Sequence, residues 1–220
     1  MKILCISDHP DPLVYSDNIK RRFADTDLVI SCGDLPFSYY DFITTNLNKP
    51  LLFIFGNHNL NLLPYFDHSS QRFDYLKPLQ AYDAERPSGL IFIDGKIKHI
   101  NKLIIAGLGG NRDYNHGLHQ FSELAMSWRI IKLIPHLFFN RLFHGRYLDI
   151  LVTHAPPANI HDQPDPCHKG FKVFLWFLKV FKPKYLVHGH IHLYDQNASR
   201  QSNFGESTVV NAYNHTVIEI

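Results

Sequence analysis

Three apolar runs near the start of the chain decide its fold: Lys2-Ile3-Leu4-Cys5-Ile6-Ser7 ending at Asp8, Leu28-Val29-Ile30-Ser31-Cys32-Gly33 ending at Asp34, and Leu51-Leu52-Phe53-Ile54-Phe55-Gly56 ending at Asn57-His58. Each has the length and composition of a buried strand, and each stops at a side chain able to bind a cation. Between them, residues 16–23 suit a short helix capped by Ser16, and residues 36–47 a longer one with Pro36 in its first turn. A βαβαβ rhythm of this kind calls for a parallel sheet with right-handed crossovers.

The same junction recurs downstream. Residues 148–153 run into His154, and residues 185–189 into His190-Ile191-His192. Strand ends that gather carboxylates, an amide and imidazoles at one sheet edge are where an α/β fold builds a site. Elsewhere the pattern is less regular. Residues 58–88 are polar and turn-rich. Residues 90–93, 96–100 and 102–106 read as a meander turning at Asp94-Gly95 and Asn101-Lys102. Residues 107–117 read as a loop, 121–134 as a helix ended by Pro135, and 155–169 as a proline-stiffened loop. Residues 170–181 form a helix, and 208–212 with 216–220 a closing strand pair. The expected fold class is α/β, two packed mixed sheets covered by helices, and 220 residues suit one domain over 1–220.

Composition narrows the function. A net charge of +2 and mixed charges give no strong nucleic-acid field, so a nuclease is a less attractive reading. Of the 3 cysteines, Cys5 and Cys32 sit in apolar runs, and no paired framework is present. A reducing, cytoplasmic setting is expected. The chain opens directly on a strand rather than a signal segment, and no run reaches transmembrane length.

The junction residues Asp8, Asp34, Asn57, His154, His190 and His192 include no thiolate. Such a donor set suits Mn, Fe, Zn, Ni or Mg, one or two ions. A shared Asp can bridge two ions about 3.5–4 Å apart. Two cations would neutralise a phosphate and acidify a water, whose hydroxide would attack phosphorus in line.

Asp8, Gly33-Asp34, Gly56-Asn57-His58, His154 and Gly189-His190-Ile191-His192, in this order, resemble the calcineurin-like metallophosphoesterase family. The resemblance implies a four-layer αββα sandwich and a metal-dependent phosphoesterase with a small phosphoester substrate. It implies that Asp34 bridges both metals, that Asp8 and His192 hold the first, and that Asn57, His154 and His190 hold the second. His58 would protonate the leaving oxygen or orient the phosphate. The stretch from His154-Ala155-Pro156-Pro157 to the final Gly-His-Ile-His is also similar to the MPPED-like metallophosphodiesterase branch, which leans toward diester or nucleotide-like substrates.

Two positions depart from the family pattern. Pro10 stands where the first motif carries a His, leaving the first metal short of a ligand unless His9, His161 or His168 compensates. Asn59 replaces the acid that usually follows Gly-Asn-His. These departures support an alternative: a catalytically weak binding module on the same fold. Asn111 and Arg112 follow a glycine-rich turn, and Arg112 is a candidate phosphate clamp beside an ordinary solvated turn. Tyr39-Tyr40 and Tyr65-Phe66 are candidates for stacking a substrate group or for core packing. The aromatic helix 171–181, with Lys172, Trp176 and Lys179 on one stripe, reads as sheet cover in preference to a membrane contact. Residues 126–146 read as an interface, a lid or packing.

Overall fold

The computed structural model describes residues 1–66, 89–195 and 198–220. In chain order the strands and helices are β1 Lys2–Ser7, α1 Ile19–Phe23, β2 Leu28–Ser31, α2 Phe37–Leu47, β3 Leu51–Phe53, α3 Leu63–Phe66, β4 Leu90–Phe92, β5 Ile97–Ile100, β6 Leu103–Leu108, β7 Asn111–Arg112, β8 Gln120–Phe121, α4 Glu123–His144, β9 Ile150–Thr153, α5 Lys172–Phe181, β10 Tyr185–His188, β11 Gln201–Phe204, β12 Ser207–Asn211 and β13 Asn214–Glu219. One sheet has the order β13-β1-β2-β3-β4 and the other β11-β12-β10-β9-β6-β5; β7 and β8 form a small ribbon.

Period-two burial assigns each side chain to a layer. In the first sheet Ile3, Cys5, Leu28, Ile30 and Leu52 point into a core shared with Ile105, Ile150, Val152, Val187 and Val210 of the second. Their neighbours Leu4, Ile6, Val29 and Phe53 face α1 and α2. Ala106, Leu151, Leu186 and Val209 face α4 and α5. The layers are therefore helix, sheet, sheet, helix, as expected. Strands buried on both faces read as continuous apolar runs, which is why they stand out in the sequence. Emptying such a position, as in Ile30→Ala, would cost about 2–5 kcal/mol.

Several local expectations are corrected. Asn18, not Ser16, occupies the N-cap of α1, and no side chain caps it. Only the second half of the meander forms: β5 and β6 pair antiparallel across Asn101-Lys102 in the second sheet, while β4 pairs in parallel with β3 in the first. Leu90 and Phe92 pack toward the outer helices and Ile91 and Ile93 into the inter-sheet core, so β4 needs cover on both faces. The Asp94-Gly95 turn, with Gly95 at φ 63°, steps the chain between sheets. The closing strand pair is absent. β12 lies parallel to β10, whereas β13 lies antiparallel to β1, because Val209 and Val217 belong to opposite outer layers. β11, unassigned from sequence, pairs with β12.

Pro135 does not end its helix. α4 runs on to His144 and stops at Gly145 in the left-handed region. Ile131 and Pro135 both lie on the exposed side, so the carbonyl that loses its intrahelical partner faces water. At the other end Ser122 Oγ accepts the Ala125 N–H at 3.1 Å and caps the helix. Tyr39 and Tyr40 are core residues: the Tyr39 hydroxyl accepts the Asp11 N–H, and Tyr40 bonds Ser31 Oγ at 2.8 Å. Phe66 joins the Phe37, Phe53 and Phe92 cluster. Residues 67–88, within the polar stretch left unassigned above, lie outside the described residues.

Candidate metal centre

The C-terminal ends of β1, β2 and β3 in one sheet and of β9 and β10 in the other meet at one edge. The chain leaves these strands through a left-handed backbone at Asp8 (φ 65°), Asp34 (φ 60°) and His190 (φ 67°). A non-glycine residue held there costs free energy and persists only where its surroundings over-determine it. Here the side chains are turned inward together. Asp8, Asp34 and His154 each offer a ligand atom, all within 4.8 Å of one another. Two glycines make the approach possible. A Cβ on Gly56 would overlap Asp34 Oδ1 and His154 Cε1, and one on Gly189 would overlap Ser7 Oγ.

Hydrogen bonds fix the histidine tautomers. His154 Nδ1 lies 2.8 Å from the Cys32 carbonyl, so it donates, and Nε2 points at Asn57 Oδ1 (3.1 Å) and Asp34 Oδ2 (3.3 Å). His190 Nε2 donates to the Cys167 carbonyl at 2.7 Å, which leaves Nδ1 its lone pair. The two rings are 4.8 Å apart between centroids. His192 Nε2 is 4.0 Å from Asp8 Oδ1 on the other side. Asp8 accepts the His190 N–H at 3.0 Å, and Asp34 Oδ1 the His58 N–H at 2.8 Å.

Electrostatics tests whether a cation fits. Burial opposes charge on His154, but the adjoining Asp34 carboxylate, with Asp8 behind it, outweighs burial and raises its pKa to about 9. Burial likewise works to raise Asp34, and His154 with the His58 N–H pulls it down to about 2. Asp8 is raised, first by burial and also by the charge of Asp34. Burial and the positive His154 hold His190 down to about 3. Two acceptors, Asn57 Oδ1 and Asp34 Oδ2, converge on His154 Nε2, with the Asp8 carboxyl nearby, and need a positive charge between them. A divalent cation meets that need, and the remaining donors are oxygen and imidazole nitrogen, as such a cation prefers.

The other sequence candidates fall in three places. His58 is exposed at the mouth, directly after Asn57. His9 is exposed as well, its N–H turned back to the Ser7 carbonyl, and it is not grouped with Asp8, Asp34 and His154. Asn59 does not orient His58; its amide donates to the Asp34 carbonyl at 3.1 Å and holds that loop. His168 sits in a turn with Asp165 and Cys167, its ring 5.3 Å from that of His190. Asn111 is fully buried beside His190, with Oδ1 unpartnered among the described residues. Arg112 is not a free clamp: Glu123 pairs with it, and its guanidinium lies 5.4 Å from the Phe171 ring centroid.

His161 enters a chain rather than the centre. His188 Nδ1 donates to the Gly189 carbonyl at 2.9 Å, so its Nε2 accepts from His161 Nδ1 at 2.9 Å, and His161 Nε2 accepts from Ser202 Oγ at 2.9 Å. Burial holds His188 down to about 3, and lowers His161. A second support went unread in the sequence. Asp94 accepts the Gly109 N–H at 2.7 Å, pairs with Arg129, and meets His119 Nε2 at 3.0 Å, while His119 Nδ1 donates to the Gly56 carbonyl at 2.7 Å. For His188 the available signal was a lone imidazole ending an apolar run. For Asp94 there was none, since Asp-Gly is ordinary turn chemistry.

The calcineurin-like phosphoesterase family model matches residues 1–194. The chain belongs to the calcineurin-like phosphoesterase family. It is, in general class, a metal-dependent phosphoester hydrolase, and its small-molecule substrates are phosphoesters. No curated protein matches the sequence. The protein TT1561 of Thermus thermophilus superposes with a TM-score of 0.62 at 13% identity, over 96% of this chain and 88% of its own. Phosphopantetheinyl hydrolase from Mycobacterium tuberculosis gives 0.51 at 13% identity, over 96% and 88%. GAP50, the anchor in the inner membrane complex of Plasmodium, gives 0.55 at 11% identity, over 96% and 70%. Identity this low shows a common fold and nothing finer. In this family setting, no helix among the described residues is long and apolar enough to cross a membrane.

Proposed function

We propose that this family member is a phosphodiesterase acting on a small or nucleotide-like phosphodiester, with residues 1–220 working as one domain. The observation that carries the reading is the convergence of Asp34, Asn57 and His154 acceptor atoms around one point, with the second nitrogen of His154 tied to a backbone carbonyl. In this reading Asp34 is shared between two cations, Asp8 and His192 complete the first position, and Asn57, His154 and His190 the second. Divalent ions, manganese among them, would neutralise phosphoryl charge and make water nucleophilic at neutral pH. His58, exposed beside Asn57, protonates the leaving oxygen, a role usually worth about 10²–10⁴-fold. Neutralisation of Arg112 by Glu123 favours a diester, since no free guanidinium is offered there to the second charge of a monoester. The free cysteines Cys5, Cys32 and Cys167 support a cytoplasmic setting.

A catalytically weak binding module remains the second reading, favoured by Pro10 and by an Asn59 amide engaged with Asp34 instead of His58. Metal-stripped protein, resupplied with Mn, Ni, Co, Zn or Mg, separates the two. Metal-dependent turnover of bis-p-nitrophenyl phosphate above that of p-nitrophenyl phosphate is expected. Turnover of neither ester would leave the module; preference for the monoester would end the diester assignment.

A further inference from the structure

α4 is apolar on two sides. Met126, Ile130, Leu133 and Leu137 are buried against the second sheet. On the opposite side Leu124, Trp128, Ile131, Phe138 and Leu142 follow one another at alternating steps of four and three or seven, and are exposed, Leu124 by 69% and Leu142 by 77%. Phe139 and Phe143 flank this stripe, their rings 4.2 Å apart. The patch continues onto α5, where Phe181 contacts both Phe138 (6.4 Å) and the exposed Trp176 (5.7 Å). Among the described residues nothing covers it. A contiguous apolar surface of this extent on a water-exposed helix pair marks an interaction site.

Charge identifies the occupant. Residues 124–148 contain no Asp or Glu, and neither do residues 171–184. Lys132, Arg141, Lys172 and Lys179 are exposed there. The acids bordering the patch are already engaged: Glu123 by Arg112, Asp149 by Arg146 and Glu206 by Lys182. The face is therefore aromatic, aliphatic and basic, with no opposing carboxylate. A second copy would meet it with the same basic side chains and no acid to answer them. An anionic lipid surface answers both properties: its acyl boundary takes up the aromatic and aliphatic groups, and its headgroups meet the lysines and Arg141. No helix among the described residues is suited to crossing, so the contact lies in the plane of the surface.

We propose that the α4–α5 face docks on an anionic phospholipid bilayer. The proposal is independent of the phosphodiesterase reading. The chain has 2 tryptophans, Trp128 and Trp176, and both lie on this face, so tryptophan emission reads it directly. The full chain is mixed with phosphatidylglycerol-containing vesicles and, separately, with phosphatidylcholine vesicles. Co-sedimentation and a blue-shifted emission with the first alone, both weakened by salt, are expected. The double variant Phe139→Glu/Phe143→Glu loses both signals while keeping wild-type turnover of a soluble ester. Lys132→Gln/Arg141→Gln binds at least about tenfold more weakly. Absence of binding to phosphatidylglycerol vesicles, equal binding to neutral ones, or undiminished binding by the glutamate variant overturns the proposal. So does a dimer in light scattering whose emission is already blue and does not respond to vesicles, which would make the occupant a second copy.

Discussion

His154 and His190 lie in the dry half of the centre, each with one ring nitrogen committed to a backbone carbonyl, while His192, across Asp8, is 43% exposed. The Nδ1 of His192 meets the hydroxyl of Tyr194, itself exposed, and its ring stacks on Tyr213 at 4.8 Å. The Cys32 carbonyl directly follows β2, and the Cys167 carbonyl belongs to a turn tied by Asp165 to the His168 N–H; neither swings as an exposed tyrosine side chain does. In the proposed reading, the half that would hold the second metal is therefore pre-organised by the fold, whereas the half that would hold the first, with Pro10 in place of a His, would depend on surface side chains. We expect one cation to bind tightly and the other weakly, a difference a metal titration followed by calorimetry would resolve into two phases. A single phase of two equivalent ions would erase the distinction.

The largest effect is expected where the halves meet. Asp34→Asn should reduce metal-dependent turnover by about 10⁴-fold, or about 5.5 kcal/mol of barrier, because in the proposed reading this one carboxylate would be shared by both positions. The fold should survive, since Asn keeps the shape that accepts the His58 N–H. Retention of more than a tenth of the activity would remove Asp34 from its shared role.

The next effect tests why the second half is rigid. Asp94 connects Arg129 of α4, the Gly109 N–H after β6 and, through His119, the Gly56 carbonyl beside Asn57. Asp94→Asn leaves Arg129 partly buried without its counter-charge, at a cost of about 3–5 kcal/mol. Burial alone would raise the Asp94 pKa; Arg129, His119 and the Gly109 N–H overcome it and hold the carboxyl well below its usual range. A depressed folded-state pKa means the contribution is complete above the unfolded value of about 3.9 and is lost as pH falls below it. Denaturant unfolding should show the full gap between wild type and Asp94→Asn at pH 7 and at pH 5, narrowing only below about pH 4. A gap that already closes by pH 5 would contradict this.

Much of this arrangement was legible beforehand, for a physical reason. Strands such as β1 and β2 are buried on both faces and so are largely apolar, and the ligands follow them closely, so Asp8, Asp34, Asn57 and His154 could be placed at one edge from the sequence alone. Sheet membership was not legible. β4 and β13 carry ordinary strand composition, and their partners are chosen by which layer must be filled, a property of the assembled core. Pro135 misled because its effect depends on exposure, and exposure follows from how α4 lies on the sheet. Asp94 and the chain from Ser202 to His188 join residues distant in sequence, and no local spacing encodes such links.

His192→Ala should touch only the weaker half. It should lower affinity for one equivalent of metal by about 10–100-fold and leave the tight equivalent unchanged. Equal loss of both phases would mean the halves are not separable.

Tyr194→Phe should have the smallest effect of all. It removes one hydrogen bond to His192 Nδ1 and leaves the stacking on Tyr213 in place. A neutral hydrogen bond at an exposed site contributes about 0.5–1.5 kcal/mol, and solvent competes for this one, so the weak metal phase should soften by about threefold. The direction is informative even at that size. If the tyrosine orients the ring, the loss appears in metal affinity and not in turnover at saturating metal. If turnover at saturating metal falls instead, Tyr194 acts on substrate, and the looseness of the first half is a binding surface for the ester rather than a missing support.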